Sequence, residues 1–305
     1  MGEPVEVDTE RTWVDQRSAF DDLRERCPVA RADGALMLLR HADVVAAARD
    51  PETFSSNVST RRVIPNGLDG AEHSVYRAIV DKYLSPERVA REEPQCRRVA
   101  TDIVDGLPRG QMVKTITDVG TPYAVRTISA WLGWPAALEP DLVAWMARNH
   151  AATRSGERTR MAAVAEEFDA MIRSLLDARR EGPATDVTAE LMREEAGGEP
   201  LTDAEVVSIL RNFTAGDLGS MATSAGVIVH YLAANPEIQR ELRSQVRTAT
   251  PAQLEDAVNE ILRIDDPFVS NRRRTTREVE VGGMRLRPES RVLLNWTAAN
   301  RDPRV

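Results

Sequence analysis

Cysteine is scarce in these 305 residues: only Cys27 and Cys96 occur, far apart and without CxxC spacing. That excludes a disulfide framework and fits a reducing compartment. Basic residues number 40 against 48 acidic ones, for a formal net charge of −8. With no cationic excess to displace counterions from phosphates, a general nucleic-acid binder is excluded. Lysine is nearly absent, Lys82 and Lys114 being its only occurrences. The preference for arginine fits GC-rich codons of a bacterial genome and says nothing about chemistry. No run of about 18 apolar residues exists to span a membrane. The best apolar stretch, Ala225 to Ala234, is broken by His230. The opening residues, Met1-Gly2-Glu3-Pro4-Val5-Glu6, are acidic and lack the apolar core of a signal peptide. Together these absences describe a soluble, cytoplasmic protein with no membrane and no nucleic-acid partner.

Several chemistries also lack their motifs. There is no Walker-type phosphate loop, no G-x-G-x-x-G turn and no G-x-S-x-G elbow. The four histidines, His41, His73, His150 and His230, show no H-x-x-x-H or Cys/His spacing for zinc.

What is present is ordinary globular composition, 42% hydrophobic and 29% charged, in a chain long enough to bury a sizeable core. Apolar spacing predicts helices over 16–26, about 41–49, and repeatedly from Ala71 to about Ile128. Breaks fall at Ser85-Pro86, Gly106–Gly110 and Gly120–Pro122. Further helices are predicted at 137–150, 158–181, 186–194, 202–234, 237–247 and 251–264. The 202–234 helix is mostly apolar all round, which predicts that it crosses the domain centre. Strand signals occur at Val29–Arg31 and Ala35–Leu39 around Asp33-Gly34. They recur at Val279–Val281, Met284–Leu286 and Arg291–Leu294. Ser55 to Gly70 reads as a long loop, a common place for function. The fold class is mainly α with a small β component near both ends of the chain.

Three blocks carry a resemblance. Glu260-Ile261-Leu262-Arg263 puts an acid and a base three apart on one helical face, where they can pair. Such a pair alone is common on solvated faces, and a buried one needs further hydrogen-bond partners. It is followed by Arg273, then Glu280-Val281-Gly282-Gly283, then Trp296 to Pro303 with its Asn300-Arg301-Asp302-Pro303. Nearer the front lie Glu72-His73-Ser74-Val75-Tyr76-Arg77 and Tyr83-Leu84-Ser85-Pro86, preceded by Leu23 to Arg31. His73 and Arg77, four apart, point from one face. The third block runs from Thr214-Ala215-Gly216 to Pro236-Glu237.

In order and spacing these blocks resemble the soluble, bacterial-type cytochrome P450 family, over nearly the whole chain. The resemblance implies a single P450-like domain over residues 1–305. It implies haem b as cofactor, a small organic substrate, and a ferredoxin-type electron donor. His73, Arg77 and Arg273 would donate to the haem propionates, and Glu260 with Arg263 would form the structural ExxR pair. Ala215-Gly216 would open the oxygen-binding motif, and His230 would be a packed helix residue. The Arg-rich stretches Arg88–Arg98 and Arg272–Arg274 read as solvated faces, the first alternatively as a docking surface for an acidic redox partner.

Two departures matter. The family's acid–alcohol pair, two and three residues after the glycine, is replaced by Leu218 and Gly219. Asp217 and Ser220 sit one position to either side, about 100° of helical rotation away. Only a local bulge would re-aim them. The second departure concerns the proximal cysteine, expected beyond Asn-Arg-Asp-Pro, while the sequence ends at Val305. Cys27 precedes a proline in the first region and Cys96 lies on an exposed helix, so neither matches the thiolate ligand that drives O–O cleavage. The expectation is therefore a truncated P450, incomplete at its C-terminus and inactive by itself. Left open beside it are a non-enzymatic helical remnant acting as a binding protein, and an unrelated bundle with a coincidental ExxR.

Overall fold

The computed structural model describes residues 4–180, 182 and 185–305. Residues 1–3, and residue 181 at the end of the helix expected over 158–181, lie outside the described residues. The chain falls into two compact units.

The first unit comprises Met1–Arg61, Gly67–Gly70 and Val227–Val305. Its centre is a six-stranded sheet in the order Val5–Glu6, Val29–Ala32, Ala35–Leu38, Arg291–Asn295, Ser270–Thr275, Phe54–Ser55. Asp33 and Gly34 both adopt positive φ, 48° and 73°, the geometry that a two-residue hairpin turn needs. Successive side chains of a strand face opposite sides, and the sequence supplies an apolar residue for each. Val29, Leu38, Val292 and Leu294 pack with Val44, Ala47 and Phe54 in one cluster. Ala30 and Met37 pack with Phe20, Leu23 and Ala298 in another. Helices Gln16–Arg26 and His41–Arg49 form where apolar spacing predicts them.

Three readings of this unit need correction. Arg272–Arg274 are only partly a solvated face: Arg272 is exposed, but Arg273 and Arg274 are half-buried, all three on the strand Ser270–Thr275, which is paired on both edges. Arginine stems can cover apolar surface while the heads reach out, so three arginines in a row hide the alternation that betrays a strand. His230, expected to be packed, is exposed near the end of the helix Asp217–Ala234. A short strand at Val5–Glu6 and a helix at Thr9–Val14 were not anticipated.

The second unit, Arg62–Asn66 and Ala71–Gly226, is helical. Its helices are Gly70–Tyr83, Pro86–Gly106, Thr121–Leu132, Glu139–Ser155, Arg158–Arg180 and Val187–Leu191. The last is shorter than expected because Gly197 and Gly198, both at positive φ, turn a small hairpin at Glu195–Pro200. Aromatic rings knit the core: Trp145 stacks on Phe168 at 4.0 Å, and Trp131 meets Phe213 edge-on at 5.0 Å. The stretch predicted as one helix from 202 to 234 is three pieces. Asp203–Arg211 is α-helical, Asn212–Gly216 widens into a π turn, and Asp217–Ala234 resumes as α-helix. In that last helix Leu218, Ala222 and Gly226 are buried, a single stripe at i, i+4 and i+8 and not an all-round core. Among the described residues no helix is long and apolar enough to cross a membrane.

Candidate active site at a bulged helix

The π turn arises between two well-determined pieces. Upstream, Thr202 and Glu205 cap each other reciprocally, and Val206, Val207, Ile209 and Leu210 are buried. Downstream, Leu218 is only 1% exposed. Between them the Thr214 hydroxyl donates to the Leu210 carbonyl at 2.7 Å, the kind of local bond that competes with a helix ladder. The extra residue of a π turn re-aims the side chains on its C-terminal side.

The turn leaves an open face. A Cβ built on Gly216 would meet nothing nearer than Asn212 Oδ1, at 3.7 Å. That amide oxygen accepts from Asn66 Nδ2 at 2.7 Å. Asp217 comes next, half-buried; among the described residues no hydrogen bond or ion pair reaches its carboxyl, and burial alone pushes its pKa above the ordinary carboxylate value. Ser220 lies on the next turn, its hydroxyl donating to the Gly216 and Asp217 carbonyls at 3.3 and 3.1 Å. Ala215 and Gly216 thus lie in the π turn, while Asp217 and Ser220 lie on the α-helix that resumes after it.

The other residues singled out from the sequence lie on separate elements. Within the second unit, His73 is half-buried and Arg77 exposed on Gly70–Tyr83, and Arg77 Nε donates to Asp81 at 2.7 Å. Within the first unit, Glu260 and Arg263 form a two-pronged pair, Nε to Oε2 at 2.7 Å and Nη2 to Oε1 at 2.8 Å. The remaining prong, Nη1, donates to the Asn300 carbonyl at 2.7 Å. The pair is not deeply buried, with side chains 55% and 46% exposed. The bond to Arg263 holds the Glu260 carboxyl below its usual pKa.

Arg273 is half-buried, and burial lowers its pKa against the opposing influence of Asp69. Its Nη1 donates to the Arg272 carbonyl at 2.9 Å, and among the described residues no carboxylate lies within ion-pair distance of it. Of the cysteines, Cys27 Sγ donates to the Val29 carbonyl at 2.7 Å. Cys96, expected on an exposed helix, is half-buried beside Tyr123, and burial raises its thiol pKa. Sequence reasoning missed Asn66 and His150, which lie far from the bulge in the sequence, and Asn212, which opens it.

A mainly helical fold with a minor mixed sheet, in which a π turn leaves Gly216 open beside the half-buried Asp217, is what the described residues present. Comparison with known proteins makes this specific. Residues 123–305 match the family model described as Cytochrome P450. A Sinorhizobium fredii protein named "Probable cytochrome P450 127A1" is 29% identical over 279 residues, covering 88% of this chain and 65% of that protein. Linalool 8-monooxygenase of Pseudomonas putida is 26% identical over 309 residues, covering 91% of this chain and 73% of its own length. The solved cytochrome P450 CYP109Q5 from Chondromyces apiculatus superposes with a TM-score of 0.84 at 25% identity, over 98% of this chain and 78% of that one. This chain belongs to the cytochrome P450 family, a family of haem-dependent oxidoreductases acting on small molecules with redox partners. The fold class read from the sequence, mainly α with a small β component, is borne out.

The residues present fit the family's haem in two respects. Arg273 is a partly desolvated cation with, among the described residues, no carboxylate within ion-pair distance, which suits an anionic group such as a propionate. Gly216 presents backbone with open space beside it, which permits close approach of a flat cofactor's ligand.

Proposed function

We propose that the protein is a haem-dependent monooxygenase of a small organic substrate, working in the cytoplasm with electrons from a ferredoxin-type donor. Residues 1–305 would serve as one P450-like domain of it. The observation that carries the reading is the π turn at Asn212–Gly216, which leaves Gly216 open and sets the half-buried Asp217 carboxyl beside it. Haem, when bound, supplies dioxygen activation. The chain's own residues do the rest. Arg273, His73 and Arg77 are proposed to donate to the propionates. Arg263, held by Glu260, fixes the backbone at Asn300. Substrate contacts are proposed from the Ser55–Gly70 loop and the helices over 137–181.

The test is a carbon monoxide difference spectrum of the reduced protein expressed from its intact gene. A thiolate-type haem band is expected, and its absence overturns the reading.

A further inference from the structure

Position 219, where the resemblance calls for an alcohol, is glycine, and the nearby hydroxyls are already engaged. Thr214 donates to the Leu210 carbonyl at 2.7 Å and Thr223 to the Gly219 carbonyl at 2.9 Å. Ser220 is turned onto the Gly216 and Asp217 carbonyls. Leu218, at the acid's position, is buried at 1% exposure. The hydroxyls of Thr214, Ser220 and Thr223 therefore all already donate to backbone carbonyls of their own helix.

One side chain reaches that space from elsewhere. An ideal Cβ on Gly219 would find a single neighbouring atom within 4 Å, His150 Nε2 at 3.5 Å. His150 rides on the helix Glu139–Ser155, which is anchored on its other side. Trp145 and Met146 are buried at 2% and 4% exposure, and the Trp145 indole N–H donates to the Val164 carbonyl at 3.0 Å. His150 itself is exposed, and among the described residues no hydrogen bond engages its imidazole. One ring nitrogen thus overlooks the gap while the ring retains access to solvent. Imidazole is the side chain whose two protonation states coexist near neutral pH, which suits a relay.

We infer that His150 supplies, from a neighbouring helix, the hydrogen-bonding group that position 219 lacks, and relays protons into the gap beside Gly219. This rests on the monooxygenase reading. In that reaction the substrate, dioxygen, two electrons from the donor and two protons become hydroxylated product and water. His150 as imidazolium gives up a proton at Nε2 toward the gap, is reprotonated from solvent, and is unchanged over the cycle. It is proposed as a replacement in function for the missing alcohol, not as a metal ligand.

The test uses His150→Ala, His150→Gln, Gly219→Thr and the double variant His150→Ala/Gly219→Thr, in the protein expressed from its intact gene. His150→Ala is expected to lower product formed per electron consumed by roughly 100-fold, the usual contribution of a positioned proton donor. Haem content, followed by the absorbance spectrum, stays as in the parent, and His150→Gln, which cannot become a cationic acid, is equally impaired. Adding the alcohol in the double variant is expected to recover at least about 10-fold of the loss. Rescue by a hydroxyl on a different helix is something a merely structural histidine would not allow. An unimpaired His150→Ala, or a loss that Gly219→Thr leaves untouched, overturns the inference.

A second readout needs no turnover. The His150 ring C2–H resonance should move in Gly219→Thr, whose Cβ would lie 3.5 Å from Nε2, while that of His41 in the first unit stays put. An unmoved His150 signal also overturns the inference. If instead the haem band is absent altogether, it is the monooxygenase reading that fails, and the resonance still judges the placement.

Discussion

Gly120→Ala should destabilise the second unit, and a matched change at Gly219 should not. Gly120 ends the π turn Thr115–Gly120 and lies against the backbone of Ala222. A Cβ there would sit 1.9 Å from the Ala222 carbonyl oxygen and 2.8 Å from its carbonyl carbon. Both are main-chain atoms and cannot swing aside, so relief requires moving a whole helix. At Gly219 the same atom would make one ordinary contact, 3.5 Å to His150 Nε2. Replacing a helical glycine by alanine gains about 0.8–1 kcal/mol in propensity, and at Gly219 that is nearly the whole effect. At Gly120 the overlap adds an overpacking penalty at the upper end of about 1–3 kcal/mol, for a net loss of about 2 kcal/mol. The two variants should therefore differ by about 3 kcal/mol. Urea unfolding reads this as a lower midpoint for Gly120→Ala at unchanged slope. If Gly120→Ala unfolds at the parent's midpoint, or both variants unfold together, the close approach of these two backbones is wrong.

Arg263→Ala removes the donor to the Asn300 carbonyl as well as the bond to Glu260. It should lower unfolding free energy by about 1–2 kcal/mol, whereas Glu260→Ala breaks only a half-exposed pair and should lose about 0–1 kcal/mol; equal losses in denaturant titrations would contradict the anchoring role. Asp266 is pushed up to about 6 by burial. Folding thus favours its neutral form, and its stabilising contribution is full below the ordinary carboxylate pKa and is lost as pH rises through about 6. Asp266→Asn should match the parent in thermal melts near pH 3 and melt higher than it above about pH 7; parallel curves over the whole range would refute this. Replacing both Cys27 and Cys96 by serine should leave haem uptake by residues 1–305 unchanged in a haem titration, and a loss would show that one of them is a ligand.

Much of the fold was legible because local chemistry and tertiary packing agree. Asp33-Gly34 marks a turn that only small or polar residues accept, and its flanking strands are short apolar runs with both faces covered. The Glu260–Arg263 pair follows from helical spacing alone. The strand Ser270–Thr275 was not legible, because its register is set by partners on both edges and its arginines mask the period of two. The π turn was foreseen only as a condition. Ala215-Gly216 permits it, but Thr214 back-bonding to Leu210 and the burial of Leu218 are tertiary facts. His150 is the extreme case: its place opposite Gly219 follows from how two helices pack, and no spacing in the chain encodes it.

The strand pairing of the first unit also has a consequence for how the chain is made. Ala35–Leu38 lies parallel to Arg291–Asn295, with Leu36 opposite Val292. When the ribosome has delivered the hairpin of Val29–Ala32 and Ala35–Leu38, the edge it needs has not yet been synthesised. Val29 and Leu38, both at 0% exposure in the finished sheet, must wait without their partners Val292 and Leu294 while the second unit emerges. Closing so long a loop is slow and entropically unfavourable. Synthesis of this protein therefore creates a window in which an apolar, half-built sheet is open to chaperones or to aggregation. Slowing translation ahead of residue 270 should lengthen that window.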